Sequence, residues 1–381
     1  MSVDSGGVEG NSHSGRPSLS ADGRYVAFHS LASNLVPGDT NSALDIFLHD
    51  RLTGETTRVS VSSTGVQGDD DSGYFTPAIT PDGRCVAFES IATNLVPGDL
   101  KGQPDIFVHD RVTGETTRVS VSSTGEEGNG SSYYPSISDN GRYVAFYSAA
   151  SNLIDNDVDG YYVDVFVHDR LTGQTTLVSV SSTGEQGPGE DWNPSMSADG
   201  RYVAFHSGSP NLAEGDEFGR DVFVHDRLTG KTRLVSSNFS ASDLIWGTSD
   251  MASISADGRY VAFESFDMRL VPDYTPWKHV YVTGPEITLE AEPDVVSAGQ
   301  VLTLTAYKGV PGSPASLWVV RVNDTRTLTL SAAGNLGGDG NFTVSGIVPP
   351  GLSGQSVTFR NYVVGHTGVQ VRSNDVTISF Q

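Results

Sequence analysis

The chain has 381 residues, with 46 Asp plus Glu against 23 Lys plus Arg, a formal net charge of −23. So acidic a surface repels phosphate backbones and excludes nucleic acid as a natural partner, while it suits solubility and divalent cations. No apolar run approaches the roughly 18 residues of a membrane span. No secretory apolar stretch follows Met1, so no membrane insertion is expected and no signal peptide is present in this chain.

In chain order, the stretch from Pro17 to Gly65, "PSLSADGRYVAFHSLASNLVPGDTNSALDIFLHDRLTGETTRVSVSSTG", comes first and is then rewritten from Pro77, Pro135, Pro194 and, in decayed form, Ala252. The starts lie 60, 58, 59 and 58 residues apart, and a fixed period of this length marks a stacked or circular array of one supersecondary unit. Each repeat predicts four strands. The first is short, Pro17–Ser20, and ends at Ala21-Asp22-Gly23, where Asp-Gly favours a primed hairpin turn. The second, Arg24–Ser30, is apolar on both faces and is therefore covered on both sides. The third is Asp45–Asp50. The fourth, Thr56–Ser62, alternates polar and apolar as an outer strand does.

Buried inner strands and a half-polar outer strand describe a blade of a β-propeller. The "S-x-D-G-R-Y-V-A-F-x-S" signature resembles the TolB-like propeller repeats of bacterial envelope and secreted proteins. The longer "SNLVPGDTN…DIFVHDRxTGxTTRVSVSSTG" wording is similar to repeats of large bacterial surface proteins. The resemblance spans residues 2–284, and it implies a fold and an extracellular or cell-surface setting but no particular task. TolB-type propellers usually have six shorter blades, so the count of repeats departs from that pattern. The fifth repeat supplies only three strands (252–255, 259–265, 280–283). Residues 2–10 match 60–68, the tail of a repeat. The expectation is an all-β protein, a five-bladed propeller over 1–284 whose N-terminal strand completes the last blade and closes the ring. The same strand could instead complete a neighbour's last blade and build a fibre.

From Pro285 the period stops. Residues 285–381 predict about seven strands: 287–292, 301–307, 316–322, 326–331, 341–347, 356–364 and 375–380. Trp318 falls on the third, where immunoglobulin-like sandwiches often bury a Trp, without their cysteine pair. "GNLGGDGNFTVSGIVPPGLSGQSVTFRNYVV" is similar to C-terminal modules of secreted bacterial proteins, so an immunoglobulin-like β-sandwich is expected. The single cysteine, Cys85, stands where the other repeats have Tyr25, Tyr143, Tyr202 and Tyr260; it reads as a core filler.

Long loops join the second and third strands, and function is expected on that face. In repeat three the loop reads Asp155-Asn156-Asp157-Val158-Asp159-Gly160, then Asp164. Oxygen ligands at alternate positions before a Gly can turn several carboxylates onto one hard cation. Thinner versions are Asp39, Asn41 and Asp45; Asp99 and Asp105, with Lys101 between; and Asp216 and Asp221. Structural calcium is the expected cofactor, weighed against solvated Asp-Gly turns. The His-Asp-Arg runs at Asp50, Asp110, Asp169 and Asp226 recur in every complete repeat, so they read as interblade hydrogen bonds and ion pairs rather than catalytic dyads. Tyr74, Tyr134, Trp192 and Trp246 precede the first strands; they either stack on a glycan or pack between blades. Glu89 and Glu264 are the only acids at their core-proximal position, the nearest approach to a glycosidase pair. The expected function is a non-enzymatic, calcium-stabilised extracellular scaffold for binding or assembly. Its partners would be surface or matrix proteins, or other copies of itself. The alternatives are a fibre subunit built by strand donation or head-to-tail contacts, and a glycan-binding or glycan-cleaving propeller.

Overall fold

The computed structural model describes residues 2–283, except 100, 156, 158–159, 161, 214–218, 237–247 and 266–278, and beyond 283 the backbone of the strands named below. The chain divides into two compact units, Met1–Val282 and Thr283–Gln381.

The first unit is a succession of antiparallel sheets. Sheet 1 holds β1 (Ser14–Leu19), β2 (Tyr25–Ser30), β3 (Asp45–Asp50) and β4 (Thr56–Arg58). Sheet 2 holds β5 (Ala78–Ile79), β6 (Cys85–Ser90), β7 (Asp105–Asp110) and β8 (Glu115–Arg118). Sheet 3 holds β9 (Ser132–Ile137), β10 (Tyr143–Ser148), β11 (Asp164–Asp169) and β12 (Gln174–Leu177). Sheet 4 holds β13 (Asp191–Met196), β14 (Tyr202–Ser207), β15 (Asp221–Asp226) and β16 (Lys231–Leu234). Sheet 5 has three strands, β17 (Ser249–Ile254), β18 (Val261–Ser265) and β19 (His279–Thr283). There is no α-helix among the described residues. Four-stranded antiparallel sheets in sequential order are the sheets of a β-propeller.

The core lies between sheets. Ala27, Ile46, Leu48 and Val59 of sheet 1 meet Val86, Phe88 and Phe107 of sheet 2. The same positions meet at the next three junctions. Within sheets 1 to 4 two phenylalanines meet across the middle strands, as Phe88 on Phe107 and Phe146 on Phe166 at about 6 Å, and in sheet 5 Phe263 meets Tyr281. Because β2 and β3 bury both faces, alternation along them sends successive side chains to opposite junctions.

The strands differ from expectation in three places. The first strand begins earlier, at Ser14, and carries a bulge between Gly15 and Ser18; Arg16 takes φ 52° there, as Tyr134, Asn193 and Met251 do at the matching place. The Asp-Gly turn is not a primed one. Gly23 alone has positive φ, because the Asp22 carboxylate accepts from Ser20 Oγ and Arg24 N and holds Asp22 right-handed. The fourth strand stops at Arg58, since Ser60 turns into the sheet, donating to Asp45 Oδ1 and accepting from Ile46 N.

The N-terminal segment does not complete sheet 5. Val3 bridges Glu9, and the Val3 carbonyl accepts from Thr56 Oγ1 of sheet 1. The reason lies in the repeat itself. Residues 60–68, which the N-terminus copies, form a connector hairpin in which Val61 bridges Gln67 and the Val61 carbonyl accepts from Thr116 Oγ1 of the following sheet. The copied segment therefore belongs to the sheet after it, not to the sheet before.

In the second unit β20 (Thr288–Glu292), β22 (Val301–Tyr307) and β25 (Phe342–Ile347) form one antiparallel sheet. The other sheet runs β21 (Val295–Val296), β28 (Val376–Phe380), β26 (Ser356–Val364), β23 (Pro314–Val322), β24 (Ala332–Asn335), with β27 (Gln370–Arg372) also on β26. The pairing of β21 with β28 is parallel. The strand expected over 326–331 lies outside the described residues.

Candidate functional site

The acidic loops end at the start of each third strand, and there the structure adds a residue that the loop alone does not reveal. In sheet 1, Arg58 lies 3.2 Å from Asp39 Oδ2 and 3.5 Å from Asp45 Oδ2, with all three side chains well buried. Its NH1 also bonds Gln67 Oε1, while Asn41 bridges Asp45 Oδ2 and the Gly68 carbonyl. In sheet 2, Asp99, Asp105 and Glu127 bring one carboxylate oxygen each within 4.8 Å of one another. Arg118 NH1 lies 3.5, 3.2 and 3.3 Å from Asp99 Oδ1, Asp105 Oδ2 and Glu127 Oε1. Burial pushes the Asp105 carboxyl up to about 6, against the pull of Ser120 and Arg118. Lys101, in the place of Asn41, donates to the Gly128 carbonyl. A guanidinium thus already fills the centre of both acid sets, and an ion there would have to displace it.

Sheet 3 is built differently. The position of Arg58 and Arg118 is Leu177. Asp157 and Asp164 remain, the first partly buried and the second fully. Gln186, at the position of Gln67 and Glu127, turns its Nε2 to Asp157 Oδ1 and Asp164 Oδ2, each at 3.3 Å. Asp155 is exposed, and Asp159 lies outside the described residues. In sheet 4, Asp221 accepts from Ser236 Oγ and Asp216 lies outside the described residues. Repeats one and two therefore bring their expected acids together around a built-in cation, whereas repeat three brings together Asp157 and Asp164 of its expected four. The signal for that cation is an Arg 13 positions after the strand-opening Asp, Asp45 to Arg58 and Asp105 to Arg118, which the loop pattern by itself passes over.

The His-Asp-Arg runs divide their labour. Neighbours on a strand point to opposite faces, so His and Asp form no dyad. Arg24 forks onto Asp50 at 2.9 and 2.6 Å, and Arg84, Arg142 and Arg201 do the same to Asp110, Asp169 and Asp226. These forks lie within a sheet and hold the Asp110 and Asp226 carboxyls down to about 2. His49, His109, His168 and His225 bond the hydroxyls of Thr56, Thr116, Thr175 and Thr232 at 2.9 Å. Each hydroxyl gives its proton to the carbonyl of the preceding connector, at Val3, Val61, Val121 and Val180. With its one proton committed, the threonine can only accept from histidine, so Nδ1 carries the hydrogen. Burial pushes His168 and His225 down to about 4, which keeps these rings neutral.

The aromatic residues form a continuous edge. Phe75 lies 4.1 Å from Tyr134 and 5.5 Å from Tyr133; both tyrosines touch Tyr147, which lies 5.2 Å from Trp192. Tyr134 and Trp192 are thus engaged with other rings. Tyr74 is exposed, its hydroxyl on Asp71, and Trp246 lies outside the described residues. Glu89 is buried behind this edge, accepting from Tyr74 N and Phe75 N at 3.0 and 3.1 Å, and burial pushes it up to about 7. Glu264, three sheets away, is in register with Asp250.

These sheets and loops define an all-β repeat protein with propeller-type blades. No protein-family model matches the chain, and no curated protein does. Among solved structures, one assigned as TolB from Agrobacterium tumefaciens is similar at 14% identity over 89% of this chain and 91% of that one, TM-score 0.41. A GH74 xyloglucanase from Xanthomonas campestris is similar at 9% identity over 93% and 61%, TM-score 0.38. Hydrazine synthase of Kuenenia stuttgartiensis is similar at 10% identity over 89% and 64%, TM-score 0.36.

Proposed function

We propose that this chain is a non-enzymatic extracellular scaffold for binding or assembly, a five-bladed propeller-type array followed by an immunoglobulin-like sandwich. The observation that carries this reading is the recurrence of the same bonds in every complete sheet. Each His is tied to a Thr and each Asp to an Arg, so groups that could do chemistry are consumed in holding the repeats together. A screen of the full chain against peptide, ester and glycan substrates should give no turnover above buffer; turnover abolished by Glu89→Gln would sink the reading.

In the same proposal sheet 3 takes a calcium ion where sheets 1 and 2 have a guanidinium. Asp157, Asp164 and the Gln186 amide oxygen, after a flip of that amide, are donors of the type calcium prefers, and loop carboxylates can complete its six to eight oxygens. What supports it is the exchange of Arg for Leu177 at the one repeat richest in loop acids. Chelation should lower the melting temperature of the wild type by several degrees. Leu177→Arg, which supplies the missing cation, should make the melt insensitive to chelator; equal sensitivity in both proteins would refute the assignment.

A further inference from the structure

The four junctions between sheets share one design, and the two ends of the array each present half of it. On the trailing face of a sheet, the positions of Val222 and Val224 are 0% and 1% exposed because the next sheet covers them. On sheet 5 the same positions, Val280 and Val282, are 71% and 50% exposed. On the leading face, Met196 and Ile254 are 8% and 9% exposed against the sheet before them; their counterpart on sheet 1, Leu19, is 59% exposed. The polar part of the junction repeats as well. Met196 N donates to Ser136 Oγ and Ile254 N to Ser195 Oγ, each at 3.0 Å across a junction. Asp139 N and Ala198 N donate to the Ala198 and Ala256 carbonyls of the following turn, at 2.9 Å. At the trailing end Ser253 and Ala256, which hold the places that Ser195 (acceptor through Oγ) and Ala198 (donor through N) fill at the junction before, are exposed.

We infer that the trailing face of sheet 5 is covered in solution by the leading face of sheet 1 of a second copy of this chain. This deepens the assembly half of the function proposed above. The junction would place Leu19 over Val280 and Val282, with Ser253 Oγ accepting from Leu19 N and Ala256 N donating to the Ala21 carbonyl. It continues an interface that the chain already makes four times, which is the argument for a second copy over any other occupant. The N-terminal hairpin supports it, since it already sits on sheet 1 as a connector does, with Gly10 against Ala32 and Leu35 as Gly68 is against Ala92. The contact joins two different surfaces, so it propagates as an open or ring-closed head-to-tail series rather than stopping at a symmetric pair. The charge of −23 on every copy opposes it, so salt should strengthen it.

Sedimentation of the full chain over a wide concentration range tests this. The expected result is concentration-dependent growth beyond dimers, stronger at high salt. Leu19→Asp and Val280→Asp change exposed residues, so both variants should fold with unchanged circular dichroism and sediment as monomers. Mixed together, they should form a dimer and nothing larger, because one intact trailing face and one intact leading face remain. A wild type that stays monomeric overturns the inference, and does so more informatively if the 280–282 amides are protected from exchange, since another part of the same chain then covers them. Association that survives either substitution, or a mixture that fails to dimerise, overturns it too. None of these results bears on turnover, so they leave the scaffold reading to its own test.

Discussion

Cys85 replaces a tyrosine that elsewhere works for two neighbours. Tyr25 lies under Gly83 of the next turn, where a Cβ would come within 2.1 Å of the ring, and Arg111 stacks on it at 4.5 Å. Tyr143 serves Gly200 and Arg227 in the same way. At the junction of sheets 2 and 3, Arg170 has the Cys85 sulfur, at 3.9 Å, where its counterparts have a tyrosine ring; its NH1 donates to the Gly141 carbonyl at 2.8 Å, and its buried Nε has no hydrogen-bond partner. Cys85→Tyr should restore the stacked guanidinium and raise the melting temperature by a few degrees; a lower melt would show that the gap has closed around the smaller residue. Glu89 carries a second residue-scale expectation. Its folded pKa of about 7 exceeds that of an unfolded glutamate, about 4.3. Between those values the native state binds the extra proton, so wild-type stability falls relative to Glu89→Gln as pH rises from about 4 to 7, then runs parallel above 7. Thermal melts of the two proteins against pH give the sign directly.

At the scale of the element, a connector hairpin is tied to each of sheets 1 to 4 through a threonine. Thr175→Val keeps the shape but removes the hydroxyl between His168 and the Val121 carbonyl. Two buried groups then lose a partner, at a cost of about 1–3 kcal/mol, readable by urea denaturation. A change within a few tenths of wild type would mean the threonine bond is incidental. The middle strands were legible from the chain, because β2 and β3 carry apolar residues on both faces and keep their bounds in the four complete repeats. The first strand was legible only in its second half, since the bulge before it puts Arg16, Tyr134, Asn193 and Met251 at positive φ and breaks the alternation that marks a strand. The acid loops were legible as acids, whereas the arginines that neutralise two of them come from the fourth strand. The N-terminal copy was recognised, but its partner was misassigned, because residues 60–62 read as the end of the outer strand, whereas 60–68 form a hairpin bonded to the following sheet.

Across the whole molecule the Arg–Asp forks set the acid limit. Asp50, Asp110, Asp169 and Asp226 all titrate below the ordinary carboxylate range because a guanidinium bonds each one. Below the unfolded pKa of about 3.9 the unfolded chain takes up protons that the native forks refuse, so stability is present above that pH and is lost as pH falls through about 2. An acid titration by circular dichroism should show that steep limb, and Arg84→Gln should flatten it by one group; an unchanged slope would assign the limb to other carboxylates.

The connector that rides on the sheet after it gives the array a grammar. Each of the four complete units of about 60 residues carries its own entry hairpin, its own internal ion pair and one surface of either kind, so nothing in sheet 3 depends on how many sheets stand before sheet 1. A closed wheel fixes its number of spokes, because the last must meet the first. A series whose first and last sheets each present an unmatched face, Leu19 on one and Val280 and Val282 on the other, has no such arithmetic, and gene duplication or loss can lengthen or shorten it by whole units while every remaining junction stays as it was.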